Sequence, residues 1–187
     1  LQARLKPLLE RSPDAPLLHA TQGRLYLLRA EREGDLAAAR KAEASLRRAL
    51  LLEPRQVDAL LDLVRQRLLV GALTRRGTES EPHEAWALLE RARQLSPRYP
   101  RVDLEEAQAR SAFGFEVDAL GPASRAVELA ATPAHLLCRG ELRARLQRWE
   151  EAEVDLRQVL RTSKRASRRD KARRLLEPVL RGEVPPR

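Results

Sequence analysis

Residues 147–160 read QRWEEAEVDLRQVL, and how this stretch is read decides the fold. Trp149, two glutamates and Ala152 open a helical run in which Leu156 follows Ala152 by one turn. Taken alone, this is an amphipathic helix. Its significance depends on whether the chain repeats it.

Prolines supply the first sign of repetition. RALLLEP ends at Pro54, RARQLSP at Pro97 and RAVELAATP at Pro133, each closing an apolar-periodic run. Pro13, Pro54, Pro97 and Pro133 are spaced by 41, 43 and 36 residues. A proline just past a helix end stops the helix, and periods of 20–50 residues mark stacked helical repeats. Each interval holds two helical runs. The first gives PLLHATQGRLYLLRAEREG and then DLAAARKAEASLRRALLLEP, with Gly34-Asp35 as the turn. In its second run Leu36, Ala39, Ala42, Leu46, Ala49 and Leu50 share one face. The second interval gives VDALLDLVRQRLLVGALTRR, a polar connector GTESEP, and HEAWALLERARQLSP. The third and fourth give RVDLEEAQARSAFG with EVDALGPASRAVELAATP, and AHLLCRGELRARLQ with RWEEAEVDLRQVLRTS. A terminal helix is expected over 168–181, kinked or shortened by Pro178.

Composition agrees with helices alone. Leu and Ala dominate, aromatics are 3%, and Ile, Met and Asn are absent, so strand formers are scarce. These absences, with 32 Arg against 4 Lys, also look like the imprint of a GC-rich genome, which weakens any argument that each arginine was placed for a task. No window approaches 18 uninterrupted apolar residues. The absence of a signal peptide points to the cytoplasm, and a start inside a helical pattern at Leu1 reads as a piece of a longer protein. The single Cys138 excludes an internal disulfide.

The pattern resembles the tetratricopeptide repeat family, in which a small residue lies midway along helix A, an Ala early in helix B, a bulky residue four later, and a Pro at the close. Gly140, Trp149, Ala152 and Leu156 fit those positions best. Gly23, Tyr26, Ala42, Leu46, Ala49 and Pro54 fit in the first interval, Ala85, Leu89, Ala92 and Pro97 in the second, and Ala107, Ala119, Ala123 and Ala126 in the third. Val64 and Val159 depart from it, and two units exceed 34 residues. The elongated units are similar to the arrays that follow the catalytic domain in some bacterial Ser/Thr protein kinases. The fold implied is all-α, a right-handed α-solenoid of antiparallel helix pairs with about ten helices. Residues 1–16 are expected to end a preceding repeat, four pairs to span 17–54, 55–97, 98–133 and 134–165, and 166–187 to form a basic capping helix and tail. Ala152→Leu is expected to overpack and to lower Tm more than Ala144→Leu.

Catalysis finds no residues to rest on. His19, His83 and His135 lie far apart, no HExxH or Cys-rich metal spacing occurs, and His135 with Cys138 makes two ligands rather than a metal site. No phosphate-cradling Gly loop or nucleophile motif is present, so no cofactor is expected. Glu105-Glu106 and Glu150-Glu151 read as early-helix acids favoured by the helix dipole. The resemblance implies a concave groove lined by helix A that binds a protein or peptide segment. Residues following the small position would face it: Arg24, Arg65, Gln108 and Glu141, with Arg145 a turn further on. Their arginines suit an acidic segment or a C-terminal carboxylate, and the plainer reading is solvated arginine in an Arg-rich chain. The family's chaperone-binding clamp contains asparagines, and this chain has none.

Net charge is +9, of which +7 falls in 161–174 on Arg161, Lys164, Arg165, Arg168, Arg169, Lys171, Arg173 and Arg174 against Asp170. The plainer reading is a solvated cap on the last repeat. The sharper one is a patch for nucleic acid or an anionic membrane surface, against which no aromatic interleaves the arginines for base stacking. Lys164-Arg165-Ala166-Ser167 also resembles a basophilic kinase target. A self-associating array, stacking through its N-terminal end, is the third class.

Overall fold

The computed structural model describes residues 2–74 and 82–184; Leu1, most of the GTESEP connector and residues 185–187 lie outside them. The described residues form ten helices and no strand. They are α1 (Gln2–Arg11), α2 (Pro16–Glu33), α3 (Leu36–Leu52), α4 (Val57–Thr74), α5 (Pro82–Leu95), α6 (Pro100–Ala112), α7 (Glu116–Leu129), α8 (Pro133–Arg145), α9 (Trp149–Thr162) and α10 (Ala166–Leu180).

The punctuation acts as its chemistry requires. Proline at the first helical position starts α2, α6 and α8, where the missing N–H costs nothing. Asp35 caps α3 by accepting from the Ala38 N–H at 3.0 Å, and Thr132 does the same for His135 at the start of α8. Gly34 ends α2 at φ 65°, a left-handed conformation that glycine adopts without a side-chain clash. Gly114 at φ 85° and Gln147 at φ 60° stand at the corresponding turns before α7 and α9.

Two compact units divide the chain, Leu1–Pro97 and Arg98–Arg187. In the first, α3 packs on α2, and α4 meets α2, α3 and α5. In the second, α6 pairs with α7 and α8 with α9, while α8 also touches α6 and α10. Within each unit, then, the first helices of successive pairs neighbour one another and the second helices cover their backs.

Small residues make these approaches possible. A Cβ built on Gly23 of α2 would stand 2.6 Å from Leu46 Cγ of α3, a collision, so the two backbones close up only because Gly23 has no side chain. At Gly140 the corresponding distances, to Asp155 Cβ and Leu156 of α9, are 3.2 Å. Ala42, Ala85, Ala119 and Ala152 are fully buried at the helix contacts, with Leu46, Leu89 and Leu156 filling between them. The last core joins Leu136, Ala152, Leu156 and Val159 to Ala172, Leu175 and Val179 of α10.

Three expectations change. Ala144 is as fully buried as Ala152 and belongs to the same core, so the contrast between leucine substitutions at these sites loses its basis. α10 starts at Ala166 and runs through Pro178 to Leu180, because the proline sits in the final turn and its ring packs inward. Glu105 lies in the second turn of α6 at 2% exposure, a core carboxylate placed beyond the first turn that the helix dipole favours most.

Candidate partner-binding face

In the first unit the free side of α2 and α4 carries two arginines, each held by a carboxylate of the neighbouring helix. Arg24, one residue past the Gly23 contact, turns away from α3. Its Nε donates to Asp62 Oδ2 at 2.8 Å, and Nη2 lies 3.8 Å from Asp58 Oδ1. Arg65 of α4 donates back to Glu31 of α2 through Nη2 at 2.7 Å, with Nε 2.5 Å from the other oxygen. Burial pushes the Glu31 carboxyl above its usual range, with Arg65 pulling the other way. Asp62 is buried, yet the Arg24 and Arg65 side chains stay 46% and 40% exposed. Each guanidinium is thus fixed from behind and presented in front. Leu28, one turn past Arg24, is exposed beside them.

In the second unit a polar chain links α6, α8 and α10. Arg145 donates through Nη1 to Ser111 Oγ at 3.1 Å and through Nη2 to Glu141 Oε1 at 2.9 Å. Lys171 Nζ reaches the other Glu141 oxygen at 2.7 Å. Glu141 and Arg145 are thereby brought together, with Lys171 added from the basic end. Gln108, half-buried on α6, has no part in that chain. Beyond Arg145 opens a hollow of about 440 Å³, lined by Phe115, Val117, Asp118, Leu146 and Val184 as well as Arg145. Phe115, Val117 and Val184 each leave more than half of their surface exposed there.

The basic end divides. Lys171 is tied to Glu141, Arg173 to Asp170 at 2.9 Å, and Arg169 donates to the Ser163 carbonyl at 3.3 Å, while Arg168 is half-buried. Arg161, Lys164, Arg165 and Arg174 are exposed and have no ion-pair partner among the described residues. The eight basic residues thus divide between those with a partner within the chain and those without one among the described residues, and six of them, Lys171 and Arg173 included, are exposed.

Sequence reasoning missed the buried carboxylates that organise these arginines. Asp155, 1% exposed, accepts from Arg139 Nε and Nη2 at 2.9 and 2.7 Å and from Arg143 Nη1 at 2.6 Å. Asp103 accepts from Arg125 at 3.1 Å. The signal was present: Asp155 interrupts the apolar stripe Ala152–Leu156–Val159, and Arg139 and Arg143 stand one turn apart on the helix before it. Elsewhere, the His135 ring Nδ1 meets the Ala130 carbonyl, and Cys138 packs against Ala107, Ala119, Ala123 and Leu142. Burial pushes the Cys138 thiol to about 12, with Glu141 adding to the effect, which leaves it protonated at neutral pH.

No protein-family model matches the sequence, and no curated protein matches it. Solved structures do. A thermophilic tetratricopeptide repeat protein of Thermus thermophilus matches 94% of this chain over 89% of its own, with a TM-score of 0.82 at 18% identity. YrrB, a tetratricopeptide repeat protein with an unusual peptide-binding site, matches 95% of this chain over 91% of its own, with a TM-score of 0.55 at 16% identity. A tetratricopeptide repeat protein from Parabacteroides merdae matches 86% over 60%, with a TM-score of 0.50 at 20% identity. The chain has the tetratricopeptide repeat fold, as its small-residue and proline spacing led one to expect. Among the described residues no helix is long and apolar enough to cross a membrane.

Proposed function

We propose that the chain is a protein-interaction module that holds an extended or helical segment of a partner against the free side of its first helices. In this reading the pairs 17–54, 55–97, 98–133 and 134–165 are the frame, and 166–187 closes it. The observation that carries the proposal is the pair Arg24 and Arg65. Each is anchored by a carboxylate on the adjacent helix and still about half exposed. An arginine fixed in this way loses little freedom when it binds a carboxylate, and its planar fork suits bidentate contact. The partner segment best matched to it bears acidic residues, with an apolar side chain for exposed Leu28. The peptide-binding site for which YrrB is described lends support, since the two chains share a fold.

The test begins with peptides selected on the intact chain from a displayed library. Their affinities are then measured by fluorescence anisotropy for the wild type and for Arg24→Gln/Arg65→Gln. Each lost charge-assisted contact is worth about 1.5–3 kcal/mol, so the double variant should bind at least tenfold more weakly. Circular dichroism and Tm check that it folds. Equal affinity for both proteins would remove these arginines from the binding face, and a failed selection would remove the peptide reading itself.

A further inference from the structure

Three hydroxyl side chains lie in the basic stretch 161–174, and the fold treats them differently. Thr162 donates to the Gln158 carbonyl at 2.8 Å. Ser163 is 5% exposed, and its Oγ accepts from the Arg165 N–H at 3.3 Å. Ser167, in the first turn of α10, is exposed, and its hydroxyl has no hydrogen-bond partner among the described residues. Lys164 and Arg165 precede it by three and two residues. Both are exposed, lie before the helix begins, and have no ion-pair partner among the described residues. An enzyme that reads substrates through acidic subsites therefore finds two uncommitted cations and one free hydroxyl in the right order. The helix start that holds them is a segment able to fray into an extended strand.

We propose that Ser167 is a phosphoacceptor for a protein kinase that recognises basic residues before its target, and that the phosphate draws Lys171 away from Glu141. In the transfer, the Ser167 hydroxyl oxygen attacks the γ-phosphorus of Mg-ATP and forms the ester bond. The bond to the β-bridging oxygen breaks and ADP leaves, while the hydroxyl proton passes to the kinase's catalytic carboxylate. The product carries about −1.5 to −2 charges at neutral pH. The fold receives that charge well, because the first turn of α10 has no acid and Arg165 provides no side-chain cap. Lys171 follows Ser167 by four residues, one turn along the same side of the helix. Its present partner, Glu141, is a monoanion already shared with Arg145. The phosphate, with the larger charge and on the same helix, wins the lysine. The contact from α10 to the polar chain is then released, and Glu141 is left to Arg145. This switch does not depend on what the face binds, and its test needs no partner.

Thr78 follows Arg75-Arg76 in the sequence and lies outside the described residues, so the assay uses the full chain with Thr78→Ala. This protein is incubated with Mg-ATP and the catalytic subunit of cyclic-AMP-dependent protein kinase. Tandem mass spectrometry should find one phosphoryl group, on Ser167 and none on Ser163, and Ser167→Ala should abolish it. Nitrogen–proton NMR spectra should then show the Glu141 amide and the Arg145 Nε–H shifting on phosphorylation, and the shift should vanish in Lys171→Ala. No incorporation, or incorporation that survives Ser167→Ala, overturns the site. Phosphorylation that leaves Glu141 and Arg145 unmoved overturns the switch.

Discussion

Glycine in a helix is usually a loss, and in this chain its sign depends on what stands opposite. A glycine costs about 1 kcal/mol against alanine in a helix interior. At Gly121 of α7 an added Cβ would approach the Arg125 guanidinium only to 3.8 Å, but the next residue is Pro122, whose ring disfavours a helical residue with a Cβ before it, so Gly121→Ala should forfeit most of that gain and leave Tm near the wild type. At Gly23 the same methyl group would stand 2.6 Å from Leu46 Cγ in a filled core, where overpacking costs about 1–3 kcal/mol. Gly23→Ala should therefore lower Tm despite its better helix propensity. Thermal melts of the two variants check the register directly, and equal shifts would mean that α2 and α3 are packed differently. This level was legible in the sequence, because the small residue of the first helix recurs at Gly23, Ala107 and Gly140, with Val64 as the exception. The buried carboxylates were not. Asp62, Asp103 and Asp155 occur once each at unlike positions of their helices, and only packing reveals which arginine each one meets.

The turns separate what is general in the repeat from what is local. Gly34, Gly114 and Gln147 occupy the left-handed position between the two helices of a pair, and only the third has a side chain. A residue with a Cβ is disfavoured there by roughly 1–2 kcal/mol. Gln147→Gly should accordingly raise the stability of the α8–α9 pair by about 1 kcal/mol, less the extra freedom of glycine in the unfolded chain. Urea denaturation with an unchanged m-value would check it, and a loss of stability would mean that the Gln147 side chain contributes something the turn geometry does not. From sequence, Gly34 identified its turn at once. Gln147 gave no hint, since nothing in a glutamine announces a positive φ. The candidates Arg24 and Arg65 were chosen by position alone, one step past each small residue, and that rule says nothing of their partners Asp62 and Glu31, which lie a whole repeat away.

Each of the two compact units has cores of its own, Leu46 with Ala59 and Leu63 in the first and Leu136 with Leu156 and Val179 in the second. In repeat folds stability is close to a sum of local and nearest-neighbour contributions. Asp155→Ala tests this for the molecule as a whole. It leaves Arg139 and Arg143 facing each other without their buried counter-charge, and breaking such a group costs about 3–5 kcal/mol. Hydrogen exchange should accelerate in α8, α9 and α10 and stay at wild-type rates in α2 and α3. Acceleration spread evenly over the chain would mean that it unfolds as a single cooperative body.

The grip on Asp155 bears on how this sequence can drift. Arginine outnumbers lysine by 32 to 4 in this chain, and on the open surface lysine could replace it. Asp155 takes three donors from two arginines in fixed planes, and a flexible ammonium point charge does not reproduce that arrangement. Arg139 and Arg143 are therefore not exchangeable for lysine in the way that an arginine on the open surface is.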